Sequence, residues 1–133
     1  MFKKQYITGK VQKDGNMPDK TVYSLTDVGT KEWNTAIKFF LTHFDYDLIP
    51  FMIASFFAES IGVDEAIKCL EERLAYLKKN SDGLTRQIEE LEMETDIPYY
   101  VIGNVQHNAL IVETEIAVTQ QMITKYKSKT SLQ

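Results

Sequence analysis

The side chains best suited to chemistry in this sequence form one short cluster, His43, Asp45 and Asp47, in the segment HFDYD. An imidazole and two carboxylates could bind a metal ion, but no fourth ligand follows at the spacing that such a site requires. A helix end followed by capping acids explains the same residues equally well. We therefore expect no metal ion and no other cofactor.

Covalent catalysis and phosphate binding have equally little support. Cys69, the single cysteine, has no histidine near it in the sequence, so its thiol lacks a base that would activate it. The six glycines never come close together along the chain, which argues against a loop that cradles phosphates. His107 falls on the outer face of the last predicted helix. These observations predict a protein that is not an enzyme.

The composition of the 133-residue chain is that of an ordinary globular domain, with 44% apolar and 26% charged residues. No apolar run approaches the roughly 18 residues that a transmembrane helix needs. The lysines near the N-terminus are not followed by the apolar segment of a secretory signal. A single cysteine suits a reducing compartment. We predict a cytoplasmic protein without a membrane partner.

The net charge of −4 conceals an uneven distribution along the chain. Residues 1–20 contain five lysines and two aspartates, so the remainder of the chain is acidic. A basic segment attached to an acidic body is a layout in which one edge meets a polyanion. Solubility alone would also explain lysines in a solvated hairpin, and charge does not decide between these interpretations.

The basic segment has the pattern of a β-hairpin. Residues 5–12 and 20–26 are short runs with β-branched and aromatic side chains, and the turn formers KDGNMPD lie between them. A two-stranded hairpin is only marginally stable in water, so it must pack against another element.

Two shorter helices are predicted after the hairpin. Thr26 can cap the first, whose apolar residues recur at helical spacing from Trp33 to Phe44. The second helix, residues 50–60, is apolar nearly all round, which predicts that it lies in the middle of the core. Their aromatic residues could also line a pocket for a flat apolar effector, although such stripes are more often plain core.

Two long helices follow, each with apolar residues at alternating three- and four-residue steps, as in coiled coils. Gly83 interrupts the first at a cost of about 1 kcal/mol, but the heptad phase continues across it. A single helix over residues 63–94 would be about 48 Å long, which exceeds a globule with a radius of gyration of about 14 Å. We therefore favour a dimer over a monomeric four-helix bundle. The residues predicted to join the subunits are Ile67, Leu70, Leu74, Leu77, Leu84, Ile88, Leu91, Val105, Val112 and Ile116.

Two segments resemble the PadR family of bacterial transcription factors. Residues 20–30, KTVYSLTDVGT, look like that family's exit from the wing, with Tyr23, Leu25, Thr26 and Gly29 at the motif positions. Residues 50–77, PFMIASFFAESIGVDEAIKCLEERLAYL, are similar to the C-terminal part of family members with large C-terminal domains.

In that family an N-terminal winged helix-turn-helix binds operator DNA, and C-terminal helices intertwine two subunits. The resemblance implies a mainly α fold with a short β-hairpin. Residues 1–26 would be the remnant wing, and residues 27–133 an α-helical, coiled-coil-like dimerisation domain. The wing residues expected to approach backbone phosphates or the minor groove are Lys10, Lys13, Asn16 and Lys20.

Members of the family have about three helices before the wing, whereas this chain begins with the first strand of the wing. The resemblance therefore implies that the DNA-reading helices are lacking. We expect a part of a PadR-like regulator, acting as a repressor, that forms a homodimer and binds DNA weakly or only in a full-length form. A small aromatic effector is left open as a further partner. The alternative is a free-standing oligomerisation or effector-binding module that does not bind DNA.

Overall fold

The computed structural model describes residues 5–131, with side chains up to residue 129, so Lys3 and Lys4 of the basic segment lie outside the described residues. The predicted fold class is confirmed, because the chain is mostly helical with one antiparallel hairpin. Its elements are strands β1 (Ile7–Gln12) and β2 (Lys20–Leu25), helices α1 (Asp27–Thr42) and α2 (Ile49–Phe56), a 3₁₀ helix (Ala58–Ile61), and helices α3 (Val63–Glu92) and α4 (Tyr99–Ser131).

The hairpin is fixed to α1 through the residues that join them. The Thr26 N–H donates to the carbonyl of Tyr6 at 3.0 Å, and the Thr26 hydroxyl donates to the carbonyl of Gln5 at 2.7 Å. The same hydroxyl oxygen accepts a hydrogen bond from the Gly29 N–H at 3.0 Å, which caps α1 as predicted. A Cβ on Gly29 would overlap the carbonyl oxygen of Tyr6. The threonine and the glycine of the motif therefore hold the helix close against the first strand.

The body of the fold packs α1, α2 and the 3₁₀ helix against the first half of α3 and the last part of α4. In α1 the buried apolar residues are Ile37 and Leu41, whereas Phe40 of the predicted stripe is 38% exposed. Trp33 packs beside the core, and its Nε1 donates to Ser60 Oγ at 3.1 Å. The buried core cluster consists of Ile37, Leu41, Phe51, Ala54, Ala58, Ala66, Cys69, Leu70 and Ile123.

The prediction that residues 50–60 lie in the middle of the core is wrong for this chain. Pro50 lies in the first turn of α2, as expected, but of that helix only Phe51 and Ala54 are buried. Phe56 is 85% exposed and Met52 is 62% exposed. The physical reason is that α2 lies on the outside of the body. No other described element covers the face of α2 that points away from the core.

Helix α3 continues through Asn80–Gly83 without a break, as predicted, for 30 residues. This corresponds to about 45 Å. Its buried residues end at Leu77, and the C-terminal end of α1 reaches only to the level of Tyr76. Beyond that point α4 is the only described element that packs against α3. We call this outer part, residues 80–108, the two-helix arm.

Gly29→Ala is expected to destabilise the fold, because the added methyl group must push the hairpin away from α1. Overpacking of this kind costs about 1–3 kcal/mol in the free energy of unfolding, which urea denaturation followed by circular dichroism measures. Gly103→Ala is the matched control, since Gly103 is exposed within α4 and has open space around an added Cβ. The control should be stabilised by about 1 kcal/mol. Similar effects of the two substitutions would contradict the close approach.

Candidate nucleic-acid interface and association surface

The residues predicted to contact DNA lie on the exposed hairpin. In its antiparallel register Lys10 pairs with Val22, and Gln12 pairs with Lys20. Because side chains alternate between the two faces of a strand, Lys10 and Lys20 project from the same face. Every residue of both strands is exposed, so this basic face is open to solvent.

The tip of the hairpin adds the other two predicted residues. Lys13 and Asn16 lie between the strands, next to Gly15, whose φ of 55° is a conformation that glycine adopts readily. Asp14 and Asp19 lie in the same turn. The four predicted residues therefore share one exposed hairpin, where three lysines stand beside two aspartates and leave a small positive excess.

The opposite face of the hairpin is apolar and also open. Ile7, Val11 and Leu25 are between 48% and 58% exposed, and Tyr23 is 64% exposed. The ring of Tyr23 lies over Gly9, where a Cβ would stand 3.1 Å from a ring carbon. Two-stranded hairpins are stable in water only when such a face is covered.

The residues predicted to join two subunits fall into two groups. Leu70, Leu77 and Val112 are completely buried within the single chain, and Val105 is 9% exposed. These four fill the core and the α3–α4 contact and leave almost no surface for a partner. A contact between subunits stays a prediction for the half-buried members, which are Ile67, Leu74, Leu84, Ile88, Leu91 and Ile116.

A buried ion pair in the body was not expected from the sequence. Arg73 of α3 is fully buried, and its Nη2 donates to Glu115 Oε2 of α4 at 2.9 Å. Its Nη1 donates to the carbonyl oxygen of His43 at 2.6 Å, just beyond α1. The guanidinium also lies over the ring of Phe51 in α2, with Cζ 3.6 Å from the ring centroid. One side chain thus joins four helices.

These partners offset part of the cost of burying Arg73, whose Nε is buried without a hydrogen-bond partner among the described residues. Desolvation lowers the pKa of Arg73, and the hydrogen bond and charge of Glu115 act in the opposite direction. The guanidinium stays protonated at neutral pH. A signal for this residue exists in the sequence, because Arg73 stands three residues after Leu70 and four before Leu77. It therefore flanks the seam of α3, which is the row of apolar residues at three- and four-residue steps from Ile67 to Leu91. A charge that lies on a buried face beside this seam requires a partner.

The HFDYD segment is organised as a turn. His43 stacks on Phe39 with ring centroids 4.1 Å apart. Asp45 accepts a hydrogen bond from the Asp47 N–H at 3.4 Å, and Asp47 accepts one from the Ile49 N–H at 3.2 Å, ahead of α2. Across residues 5–131 no three His, Cys, Asp or Glu side chains are grouped to hold a metal ion.

A small aromatic effector stays a prediction, and the shallow cleft between α1 and α2 is the place where such a ring would fit. Its volume is about 250 Å³ and its lining includes Phe39, His43 and Phe51. Ligand pockets usually span about 300–1,000 Å³, so this cleft would accommodate at most a small ring.

The helices of the described part of the chain include none with the length and apolarity to span a bilayer.

A helical body with a β-hairpin attached at the start of its first helix is an architecture found among winged-helix regulators. No family model and no curated protein matches the chain. Among solved structures, the chain is similar to Bacillus subtilis PadR in complex with operator DNA, with a TM-score of 0.50 and 19% identity, over 91% of this chain and 70% of that chain. At this identity the similarity shows a PadR-like fold. The protein that shares the fold is a transcriptional regulator rather than an enzyme.

Arg73→Met is expected to cost about 3–5 kcal/mol in the free energy of unfolding, because it leaves the carboxylate of Glu115 buried without its partner. The double variant Arg73→Met/Glu115→Leu should recover most of that loss, as a double-mutant cycle in urea measures. The exposed pair Lys38–Glu65 is the control, and Lys38→Met should cost less than about 1 kcal/mol. A double variant no more stable than Arg73→Met would contradict this coupling.

Proposed function

We propose that this chain is part of a PadR-like bacterial transcriptional regulator, a repressor, that supplies the wing and the homodimerisation helices. The observation that carries the proposal is an exposed hairpin with a basic face, joined firmly to a helical body of PadR-like fold. In this proposal residues 1–26 form the wing and residues 27–133 the dimerisation domain.

The proposed wing acts through the phosphate backbone of DNA. Lys10 and Lys20 on one face, with Lys13 and Asn16 at the tip, would approach phosphates or the minor groove. Lysines there add affinity that depends on salt but do not read bases. Because each phosphate contact changes the salt slope by only about 0.9, three lysines give weak binding. The wing therefore needs a second contribution to affinity.

Dimerisation supplies that contribution. A dimer carries two hairpins, and once one of them is bound the other meets the same DNA at a high effective concentration. This gain requires that the hairpins keep a fixed position relative to the body. The bonds of Thr26 to Gln5, Tyr6 and Gly29 supply such a connection.

A free-standing oligomerisation module without DNA binding is the second candidate. Two observations favour it. The described hairpin carries two aspartates beside its three lysines, and the chain as a whole has a net charge of −4. An acidic body repels DNA, so association would then be the principal activity of the chain.

The wing proposal predicts DNA binding that weakens as salt rises. In fluorescence anisotropy with a labelled duplex, the Gln substitutions at Lys10, Lys13 and Lys20 together should flatten the slope of log K against log salt by up to about 2.7. The matched control replaces the same number of exposed lysines in α3, which are Lys68, Lys78 and Lys79. No binding, or an equal slope for both variants, would favour the second candidate.

The dimer proposal predicts a dimer at micromolar concentration in sedimentation equilibrium. Ile88→Ser removes a half-buried seam side chain and should raise the dissociation constant about tenfold. Glu89→Ser is the control, because Glu89 is exposed beside it. A wild-type chain that sediments as a monomer would overturn the dimer in both candidate functions.

A further inference from the structure

Helix α2 and the residue after it present a compact apolar surface, which we call the α2 patch. It consists of Ile49, Met52, Ile53, Phe56 and Phe57, which are 43–85% exposed. The first four stand at the i, i+3, i+4 and i+7 positions of one helix face, whereas Phe51 and Ala54 are buried. The sequence of α2, IPFMIASF, contains no charged residue.

The size of the α2 patch limits what can cover it. Large aromatic side chains present about 150–250 Å² each when fully exposed, so five partly exposed apolar side chains amount to on the order of 500 Å². This is near the upper end for ordinary monomers, about 300–600 Å². A standard stable interface buries about 800 Å² per partner. The patch alone is therefore too small, and its occupant must contact a further surface of the chain.

The two-helix arm offers that further surface. Within the body Leu70 and Leu77 of the seam are completely buried, and Ile67 and Leu74 are half-buried. In the arm Leu84, Ile88 and Leu91 are only half-buried, because α4 is the only described element that packs there. The arm therefore has an apolar seam with one open side, about 10–20 Å beyond Leu77, the last buried residue of α3.

We propose that the α2 patch of each protomer packs against the open side of the two-helix arm of its partner. This inference rests on the homodimer of the proposed function and assigns the surfaces that form it. A two-fold dimer makes the patch-to-arm contact twice, so each protomer buries both of its open apolar surfaces at once. Patch and seam together supply the area that the patch alone lacks.

The buried ion pair determines how the α2 patch is presented. Phe51 stands on the inner face of α2, and its ring lies under the guanidinium of Arg73. Arg73 in turn is bonded to Glu115 of α4 and to the carbonyl of His43. The outward direction of the patch is therefore tied to α3 and α4, the helices that extend into the arm.

Substitution of the patch tests the inference through the dissociation constant of the dimer. Met52→Ser/Phe56→Ser should weaken the dimer about 100-fold in sedimentation equilibrium, because it removes two central apolar anchors. Both side chains are exposed in the single chain, so circular dichroism should show an unchanged fold. Met17→Ser is the matched control, since Met17 is 70% exposed on the hairpin. An unchanged dissociation constant for the double variant would overturn the inference.

Cross-linking identifies the occupant of the patch. Phe56→Cys is mixed with Leu84→Cys, Ile88→Cys or Leu91→Cys in turn, and the subunits are exchanged before a short bis-maleimide is added. Native Cys69 is buried and is retained in every variant. We expect a cross-linked heterodimer in at least one mixture and none with Phe56→Cys alone. Cross-linking of Phe56→Cys to itself, or no heterodimer in any mixture, would overturn the inference.

The two proposals fail in different ways. A wild-type chain that is monomeric at micromolar concentration removes the dimer and therefore both proposals. A wild-type dimer that keeps its affinity after Met52→Ser/Phe56→Ser, and yields no patch-to-arm cross-link, removes only the patch-to-arm contact. Dimerisation through other seam residues would then stand.

Discussion

The length of one uninterrupted helix constrains the rest of the structure. Helix α3 has 30 residues, and only its first half lies inside the body, where the seam residues Leu70 and Leu77 are completely buried. The second half carries the same seam outward with α4 as its only described neighbour. Two helices alone leave one side of such a seam open to water. The open side, rather than any residue with catalytic chemistry, is the observation on which the proposed dimer rests.

The ion pair between Arg73 and Glu115 explains how a poorly covered helix keeps its place. Helix α2 has only two buried residues, so apolar contact alone attaches it weakly to the body. The guanidinium over Phe51 adds a second attachment, and its bond to the carbonyl of His43 holds the turn that leads into α2. Buried ion pairs contribute little net stability, but an arrangement that separates the partners is strongly penalised. We interpret the pair as a device that specifies one arrangement of α2.

Much of the fold could be predicted from the sequence because the signals are local. The cap at Thr26 depends on one hydroxyl group and the turn that follows it. The continuity of α3 across Gly83 depends on a heptad phase that a cost of about 1 kcal/mol does not interrupt. The hairpin follows from turn formers between two β-prone runs. Each of these features is decided by residues within a few positions of one another.

The environment of an apolar residue could not be predicted in the same way. A run such as IPFMIASF shows that the apolar side chains of a helix must be buried against another surface. It does not show whether that surface belongs to the same chain. The same ambiguity divides the seam, where Leu77 is buried by its own chain while Leu91 is not. Arg73 was missed because charged residues are expected at the surface, although its spacing places it between Leu70 and Leu77. Turn chemistry predicted the hairpin that carries Lys10, Lys13, Asn16 and Lys20, but it carries no information about phosphate contacts.

The hydrogen bonds of Thr26 attach the hairpin to the helical body, so they link the proposed dimer contact to the proposed DNA contact. A hairpin with a small positive excess has little affinity for DNA by itself, so the proposed DNA binding requires that it be held at a defined position beside the second hairpin of the proposed dimer. The close approach of Gly29 to Tyr6 restricts the movement of the hairpin relative to α1, which a flexible linker would allow. In the proposed dimer, the packing of α1 on α3 and the contact between protomers would determine the spacing of the two hairpins. A change in either packing surface would move the hairpins apart or together, and DNA with its fixed helical repeat would respond to that change.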